Sequence, residues 1–313
     1  MARGERITVT LRELPIEDYI VSGHRMCAGC GSAIAARMAL KAAGPNTIVV
    51  NATGCLEVAT TIYPYTSWRI PWIHVAFENA AAVASGIEAA IRVLTRKNLM
   101  KQKPNIIAFG GDGGTFDIGI QALSGALERG HRFLYICYDN EAYMNTGIQR
   151  SGATPLGAAT TTSPSGRVIP GKKEWKKDLI GIAVAHNIPY AATACISYWG
   201  DYINKVKKAL SFNGPTVIHV LSPCQLGWRF DPSETIKLGR LAVQTRIFPI
   251  YEVEYGKYKL NINVTKPLPV IEYIRIQGRF RHLLEPQNSH IIEDIQKNIN
   301  LQWNRLLKLC SIE

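Results

Sequence analysis

Gly110-Gly111-Asp112-Gly113-Gly114, answered by Asp139-Asn140 and then by Ala142-Tyr143-Met144-Asn145-Thr146-Gly147, is the stretch on which the fold turns. An apolar run, Ile106 to Phe109, leads into the first motif and reads as a buried strand. A second run, Phe133 to Tyr138, leads into the next, and a helical pattern from near Phe116 to Arg129 lies between them. A glycine-rich turn at a strand's end lets backbone amides approach a phosphate. Asp112 and Asn140 carry hard oxygen donors of the kind that suit Mg2+ shared with a diphosphate. Their separation of 28 residues is one strand–helix–strand unit, which brings both to the same edge of a parallel sheet. Gly-Asp-Gly alone is common in ordinary turns. The second apolar run, with Asp-Asn and Asn-Thr-Gly beyond it, makes the signal specific.

Working outward, the chain alternates strands and helices. Ser32 to Ala43 has helical composition and stops at Gly44-Pro45. Ile48 to Asn51 reads as a short strand, with Thr53-Gly54-Cys55-Leu56-Glu57 turning off its end. Tyr63 to Trp72 is an aromatic, proline-punctuated loop, and Ala80 to Leu94 a small-residue helix with Asn79 at its mouth as a cap or a ligand contact. Residues 143–175 lack periodicity, and a loop of that length in a compact domain is usually functional. Asp178 to His186 and Tyr202 to Leu210 read as helices, Tyr190 to Ala194 and Thr216 to Leu221 as strands. The pattern implies an α/β fold: a mostly parallel sheet with helices on both faces, over residues 1–240. From Leu241 it changes to a hairpin around Gly256-Lys257 and a helix from Ile291 to Leu309, so 241–313 reads as a C-terminal extension on the core or a partner subunit. Residues 1–23 suggest an arm or a first helix around Ile16 to Val21.

Composition narrows the class. Hydrophobic residues at 47% of 313 give a real core. The most apolar window, Val75 to Leu94, carries Glu78, Glu88 and Arg92 and reads as a core helix instead of a membrane span. No signal-peptide pattern opens the chain, so a cytoplasmic location is expected. The net charge of +12 includes clusters at Lys172-Lys173, Lys176-Lys177, Lys205-Lys207-Lys208 and Arg275-Arg279-Arg281. No zinc-finger or helix-turn-helix pattern accompanies them, which argues against nucleic acid. The clusters read as solvated surface or as a patch for an acidic electron carrier.

Seven cysteines in such a chain speak against a disulfide framework. Cys27-x-x-Cys30 sits at the mouth of a helix, where amides and the dipole favour thiolates. Cys55 and Cys224 follow strands and fall on the same sheet edge as Asp112, so the four can converge. Four thiolates hold either tetrahedral zinc or a [4Fe-4S] cluster, and spacing leaves the choice open with zinc slightly ahead. The diphosphate signature beside them reverses that order. Cys137 reads as core, Cys195 as a reserve ligand and Cys310 as structural or free; His219 reads as a satisfied core histidine, and His24 and His74 as structural before catalytic.

The Asp112 segment resembles the diphosphate-binding domain of enzymes that use thiamine diphosphate. Met26-Cys27-Ala28-Gly29-Cys30-Gly31, Asn51-Ala52-Thr53-Gly54-Cys55, Gly111-Asp112-Gly113-Gly114, Tyr143 to Ser151 and Gly278-Arg279-Phe280-Arg281-His282-Leu283 together resemble the β subunit of 2-oxoacid:ferredoxin oxidoreductases, pyruvate-specific ones above all. That resemblance implies a thiamine diphosphate-binding fold. It implies Mg2+ on Asp112, Asn140 and the Ala142 carbonyl, and a [4Fe-4S] cluster on Cys27, Cys30, Cys55 and Cys224. Asn145 matches an active-site asparagine near the reacting carbon, and Gly54, Asn79, Gly111, Gly113 and Thr146 are expected to line the cofactor. It further implies oxidative decarboxylation of a 2-oxoacid, pyruvate to acetyl-CoA and CO2 first, with ferredoxin as acceptor. Other 2-oxoacids, branched or oxalate without coenzyme A, remain open. The glutamate that activates the coenzyme and two further clusters belong to partner chains in that family, so α-, γ- and δ-type subunits or fused equivalents are expected. A non-redox thiamine enzyme with structural zinc and a non-catalytic interaction subunit are the rivals.

Overall fold

The computed structural model describes residues 11–166 and 168–311. Among them one sheet holds β1 (Thr47–Ala52), β2 (Trp72–Val75), β3 (Asn105–Gly111), β4 (Leu134–Asp139), β5 (Tyr190–Cys195), β6 (Thr216–Leu221), β7 (Tyr251–Glu254) and β8 (Lys257–Leu260). The helices are α1 (Gly31–Ala43), α2 (Cys55–Thr60), α3 (Ala80–Arg96), α4 (Ile120–Glu128), α5 (Leu179–Val184), α6 (Trp199–Ser211), α7 (Gln225–Trp228), α8 (Thr235–Gln244), α9 (Ile271–Ile274) and α10 (Ser289–Cys310).

The strand order is β2-β1-β3-β4-β6-β5-β7-β8. The first six strands in sequence run parallel, and the β7–β8 hairpin adds to β5 antiparallel. All residues of β4, β5 and β6 are buried, as strands covered on both faces require. On one face α1 and α6 pack over Val49, Phe109, Ile136 and Val220; Ala35, Ala36, Ala39 and Leu40 make the buried stripe of α1. On the other, α3, α4, α5 and α10 cover Val50, Ala108, Cys137 and Val217. A third cluster, around Trp228, Leu238, Tyr273, Phe280 and Ile299, ties the segment after β6 together. The α8 helix runs across residues 240 and 241, and this cluster also takes in Cys195 of β5 and Leu221 of β6. From β1 the chain goes to one side for β2 and then returns to the other for β3. The crevice outside the carboxyl ends of β1 and β3 is therefore a switch point, where α/β sheets bind ligands.

Three local expectations are corrected. Ile16 to Val21 is not helical. Ile20 bridges to Trp68, and Lys41 Nζ donates to the carbonyls of Pro15, Ile16 and Glu17 at 2.6, 3.2 and 3.0 Å. Those bonds satisfy an extended backbone, which buries Tyr19 and Ile20 and leaves Ile16 98% exposed. Residues 1–10 of the expected arm lie outside the described residues. Val75 ends a strand instead of opening a helix, because Trp72 to Val75 pairs with Val49 to Ala52. The Thr53-to-Glu57 turn continues as α2. No helix among the described residues is long and apolar enough to cross a membrane.

Candidate active site

At the carboxyl end of β3 the chain enters a wide helical turn, Gly113–Asp117, directly after Asp112. The glycines there serve close packing. A Cβ on Gly113 would lie 2.6 Å from the Tyr143 ring, and one on Gly114 3.0 Å from the Phe77 carbonyl oxygen. Tyr143 OH donates to the Gly113 carbonyl at 3.3 Å and to Asp117 Oδ2 at 3.1 Å, which fastens the 143–147 loop over the turn.

Asp112 is 1% exposed, and its Oδ2 accepts a hydrogen bond from Ser151 Oγ at 2.5 Å. One end of the Asn140 amide lies 2.9 Å from both Asp112 Oδ1 and the Ala142 carbonyl oxygen. With nitrogen at that end, Asn140 donates to both. With oxygen there, three oxygens converge and require a cation between them. Burial, followed by the charge of Asp139, pushes the Asp112 carboxyl well above its usual range. A divalent cation would offset both effects. Asp139 goes the other way: burial raises it, but Lys176 and the 2.6 Å contact with His219 Nε2 outweigh that and keep it ionised.

The cysteines reach the same rim by separate routes. The Cys27–Cys30 loop is seated by a hydrogen bond from Gly31 N to the Pro223 carbonyl at 3.1 Å and one from Thr235 Oγ1 to the Gly29 carbonyl at 2.7 Å. A Cβ on Gly31 would lie 2.5 Å from Ser222 backbone, so only glycine lets α1 begin beside the Cys224 turn. Cys55 opens α2, and Cys224 precedes α7, with its Sγ accepting from Gly227 N at 3.4 Å. Burial, then the neighbouring Cys224, Cys30 and Cys27, push the Cys55 thiol up to about 12. Burial likewise raises Cys30 and Cys224, against the pull of the Ala33 and Gly227 amides. Among the described residues no three His, Cys, Asp or Glu side chains are gathered tightly enough to hold a single metal ion. Cys137 and Cys195 are buried in β4 and β5.

Other expected site residues fall less neatly. Asn145 and Thr146 are exposed on a turn, with Thr146 Oγ1 donating to Gln149 Oε1 at 2.5 Å. Met144 packs against Gly227, which joins that turn to the Cys224 segment. Asn79 stands at the N-cap of α3, yet its side chain makes no capping bond, so the commoner use of such a residue is not the one made here. His219 is buried against Asp139, as a satisfied core histidine should be; His74 Nε2 lies 2.6 Å from Thr53 Oγ1.

Sequence reading missed a layer behind the rim. Lys176 bonds Asp139 and reaches Glu141 Oε1 at 2.9 Å. Arg279 reaches Glu141 Oε2 at 2.6 Å. Lys172 and Lys205 are 3% and 2% exposed. Several members of the supposed surface clusters therefore turn inward: Lys172 to the Thr154 carbonyl, and Lys205 to the Thr193 carbonyl and to Asp201 one helical turn before it.

With this geometry in place, the comparisons are direct. Residues 52–220 match the thiamine pyrophosphate enzyme C-terminal TPP-binding domain. The chain is 60% identical to pyruvate synthase subunit PorB of Methanocaldococcus jannaschii, over 92% of this chain and 96% of that one. It is 49% identical to the PorB subunit of Thermotoga maritima, over 94% and 92%. It is 46% identical to ketoisovalerate oxidoreductase subunit VorB of Pyrococcus furiosus, over 96% of each. In fold it resembles the 2-oxoglutarate:ferredoxin oxidoreductase of Magnetococcus marinus, with a TM-score of 0.54 and 20% identity over 71% of this chain and 79% of that one. The chain belongs to the thiamine pyrophosphate enzymes, and within them to the β subunits of the 2-oxoacid:ferredoxin oxidoreductases.

Proposed function

We propose that this subunit, assembled with α-, γ- and δ-type partners or their fused equivalents, oxidatively decarboxylates pyruvate to acetyl-CoA and CO2 with ferredoxin as electron acceptor. The observation that carries the proposal is the meeting of Asp112, Asn140 and the Ala142 carbonyl at the end of β3, with the Cys27–Cys30 loop seated on Pro223 beside Cys224. The oxygen set fits Mg2+, a hard cation that takes carboxylate, amide and carbonyl donors. It would hold the diphosphate of thiamine diphosphate, with Gly111 and Gly113 at the turn and Gly54, Asn79 and Thr146 around it. Thiamine diphosphate, when bound, supplies the electron sink for loss of CO2. The chain's own work is to hold that cofactor, to orient substrate through Asn145, and to keep Cys27, Cys30, Cys55 and Cys224 beside it as ligands of a [4Fe-4S] cluster.

Four thiolates can hold either zinc or a [4Fe-4S] cluster. The cluster is preferred because a redox centre beside thiamine diphosphate has a purpose there, to take up the electrons released after decarboxylation. Pyruvate is the first substrate to test: the relatives named for pyruvate reach 60% identity, although the PorB and VorB subunits of Pyrococcus furiosus both stand at 46%. The test is reduction of ferredoxin or a viologen by the assembled enzyme, with pyruvate, ketoisovalerate, 2-oxoglutarate and oxalate, each with and without coenzyme A. Fast turnover with pyruvate that requires coenzyme A supports the reading. Preference for another acid, or turnover without coenzyme A, replaces it.

A further inference from the structure

Gly278-Arg279-Phe280 belongs to the segment after the sheet, yet Arg279 ends behind the Asp112 edge. Its side chain is 3% exposed. The guanidinium lies 4.0 Å over the Trp228 ring, donates from Nε to Gln277 Oε1 at 2.8 Å and from Nη2 to Glu141 Oε2 at 2.6 Å. Its backbone is fixed as well: the Arg279 carbonyl accepts from Ala159 N at 2.9 Å, and Gly278 N donates to the Arg229 carbonyl at 3.0 Å.

Two of these partners, Trp228 and Glu141, meet the loop that carries the proposed cation ligands. Trp228 Nε1 donates to the Asn140 carbonyl at 2.7 Å. Glu141 lies between Asn140 and Ala142 and takes φ of +67°, a left-handed conformation that residues with a Cβ avoid. Lys176 holds its other carboxylate oxygen at 2.9 Å, its N–H donates to Asp139 Oδ1 at 2.9 Å, and its carbonyl accepts from Thr154 Oγ1 at 2.6 Å. Two cations, Arg279 and Lys176, thus grip one glutamate from opposite sides. Asp139 and Glu141 are balanced by them, whereas among the described residues no ion pair reaches Asp112, whose Oδ2 accepts from the neutral Ser151 hydroxyl.

We infer that Arg279 is a positioning residue for the cation site: through Glu141 and Trp228 it holds the turn that aims the Asn140 amide and the Ala142 carbonyl at Asp112. The inference rests on the Mg2+ reading given above. A buried ion pair is weak evidence for stability in itself, and fixing one local arrangement is its better-attested use. Partners behind metal ligands commonly change metal affinity by about 10–100-fold when removed.

The test uses the assembled enzyme with thiamine diphosphate, titrated with Mn2+ and read by the EPR signal of the free ion. Arg279→Met is expected to raise the Mn2+ dissociation constant by about 10–100-fold. Arg279→Lys, which keeps the charge but loses the fork and the ring contact, should recover part of that loss. Trp228→Phe, which removes the N–H to Asn140 and part of the ring under Arg279, should weaken Mn2+ in the same direction and decides the matter if Arg279→Met does not assemble. A lowered melting temperature with unchanged Mn2+ affinity in these variants would make Arg279 a stabilising residue only and overturn the inference. Asp112→Ala is the separate control. If it too binds Mn2+ normally, the cation reading itself fails; if it alone loses Mn2+, only the role of Arg279 fails.

Discussion

Ser151 Oγ donates to Asp112 Oδ2 at 2.5 Å, across a gap of 39 residues, with both side chains buried. The hydroxyl also accepts from Ala153 N at 3.1 Å, so its direction is set. Ser151→Ala leaves a buried carboxylate oxygen without that donor, at a cost of about 1–3 kcal/mol. The expected outcome is a lower thermal midpoint together with weaker Mn2+ binding. Calorimetry and Mn2+ titration on the assembled enzyme check both.

Gly113 and Tyr143 form a second coupled pair. With the Tyr143 ring 2.6 Å from where a Cβ would stand, Gly113→Ala must displace the ring or the turn. Overpacking of this kind costs about 1–3 kcal/mol. The same change made in a Tyr143→Ala background should cost clearly less. A double-mutant cycle in denaturant midpoint reads that difference, and strict additivity would show that the two do not compete for the space.

Lys172 gives a pH prediction. Burial, then the charge of Arg150, lowers its ammonium from 10.5 to about 8, while Nζ donates to the Thr154 carbonyl at 2.6 Å. The folded chain therefore releases this proton before the unfolded chain does. Between about pH 8 and 10.5 the unfolded state binds more protons, so this group adds stability as pH rises. Wild type should gain on Lys172→Met across that window in denaturant midpoint. A constant gap between the two would contradict the shift.

How much of this was legible in the sequence depends on range. The apolar runs into Asp112 and Asn140 are local and each becomes a central strand, because full burial leaves a continuous apolar signature. Trp72 to Val75 leaves none: it is an edge strand with Ile73 and His74 exposed, and flanking prolines suggest a loop. The four thiols can be grouped from sequence because Cys27 and Cys30 precede a helix and Cys55 and Cys224 follow strands. Lys176 and Arg279 were not legible, because their shared partner Glu141 stands 35 and 138 residues away. A lysine among lysines looks solvated until the fold shows which one meets a carboxylate. Asn79 shows the opposite failure, since its residue type fits a cap that its side chain does not make.

Cys195 is a discriminating negative control. It is fully buried, and its Sγ lies 3.5 Å from the Gly239 carbonyl, so it has a packing role of its own. Cys195→Ala should lower the melting temperature and leave bound iron unchanged. Iron loss in that variant would move it into the ligand set in place of one of the four.

The most direct test of the account is the iron, sulfide and thiamine diphosphate content of the assembled enzyme, wild type against Cys55→Ser. The account predicts that the variant lacks one cluster's worth of iron and sulfide and still binds the coenzyme. Equal iron in the two proteins, or stoichiometric zinc lost in place of iron, would contradict it.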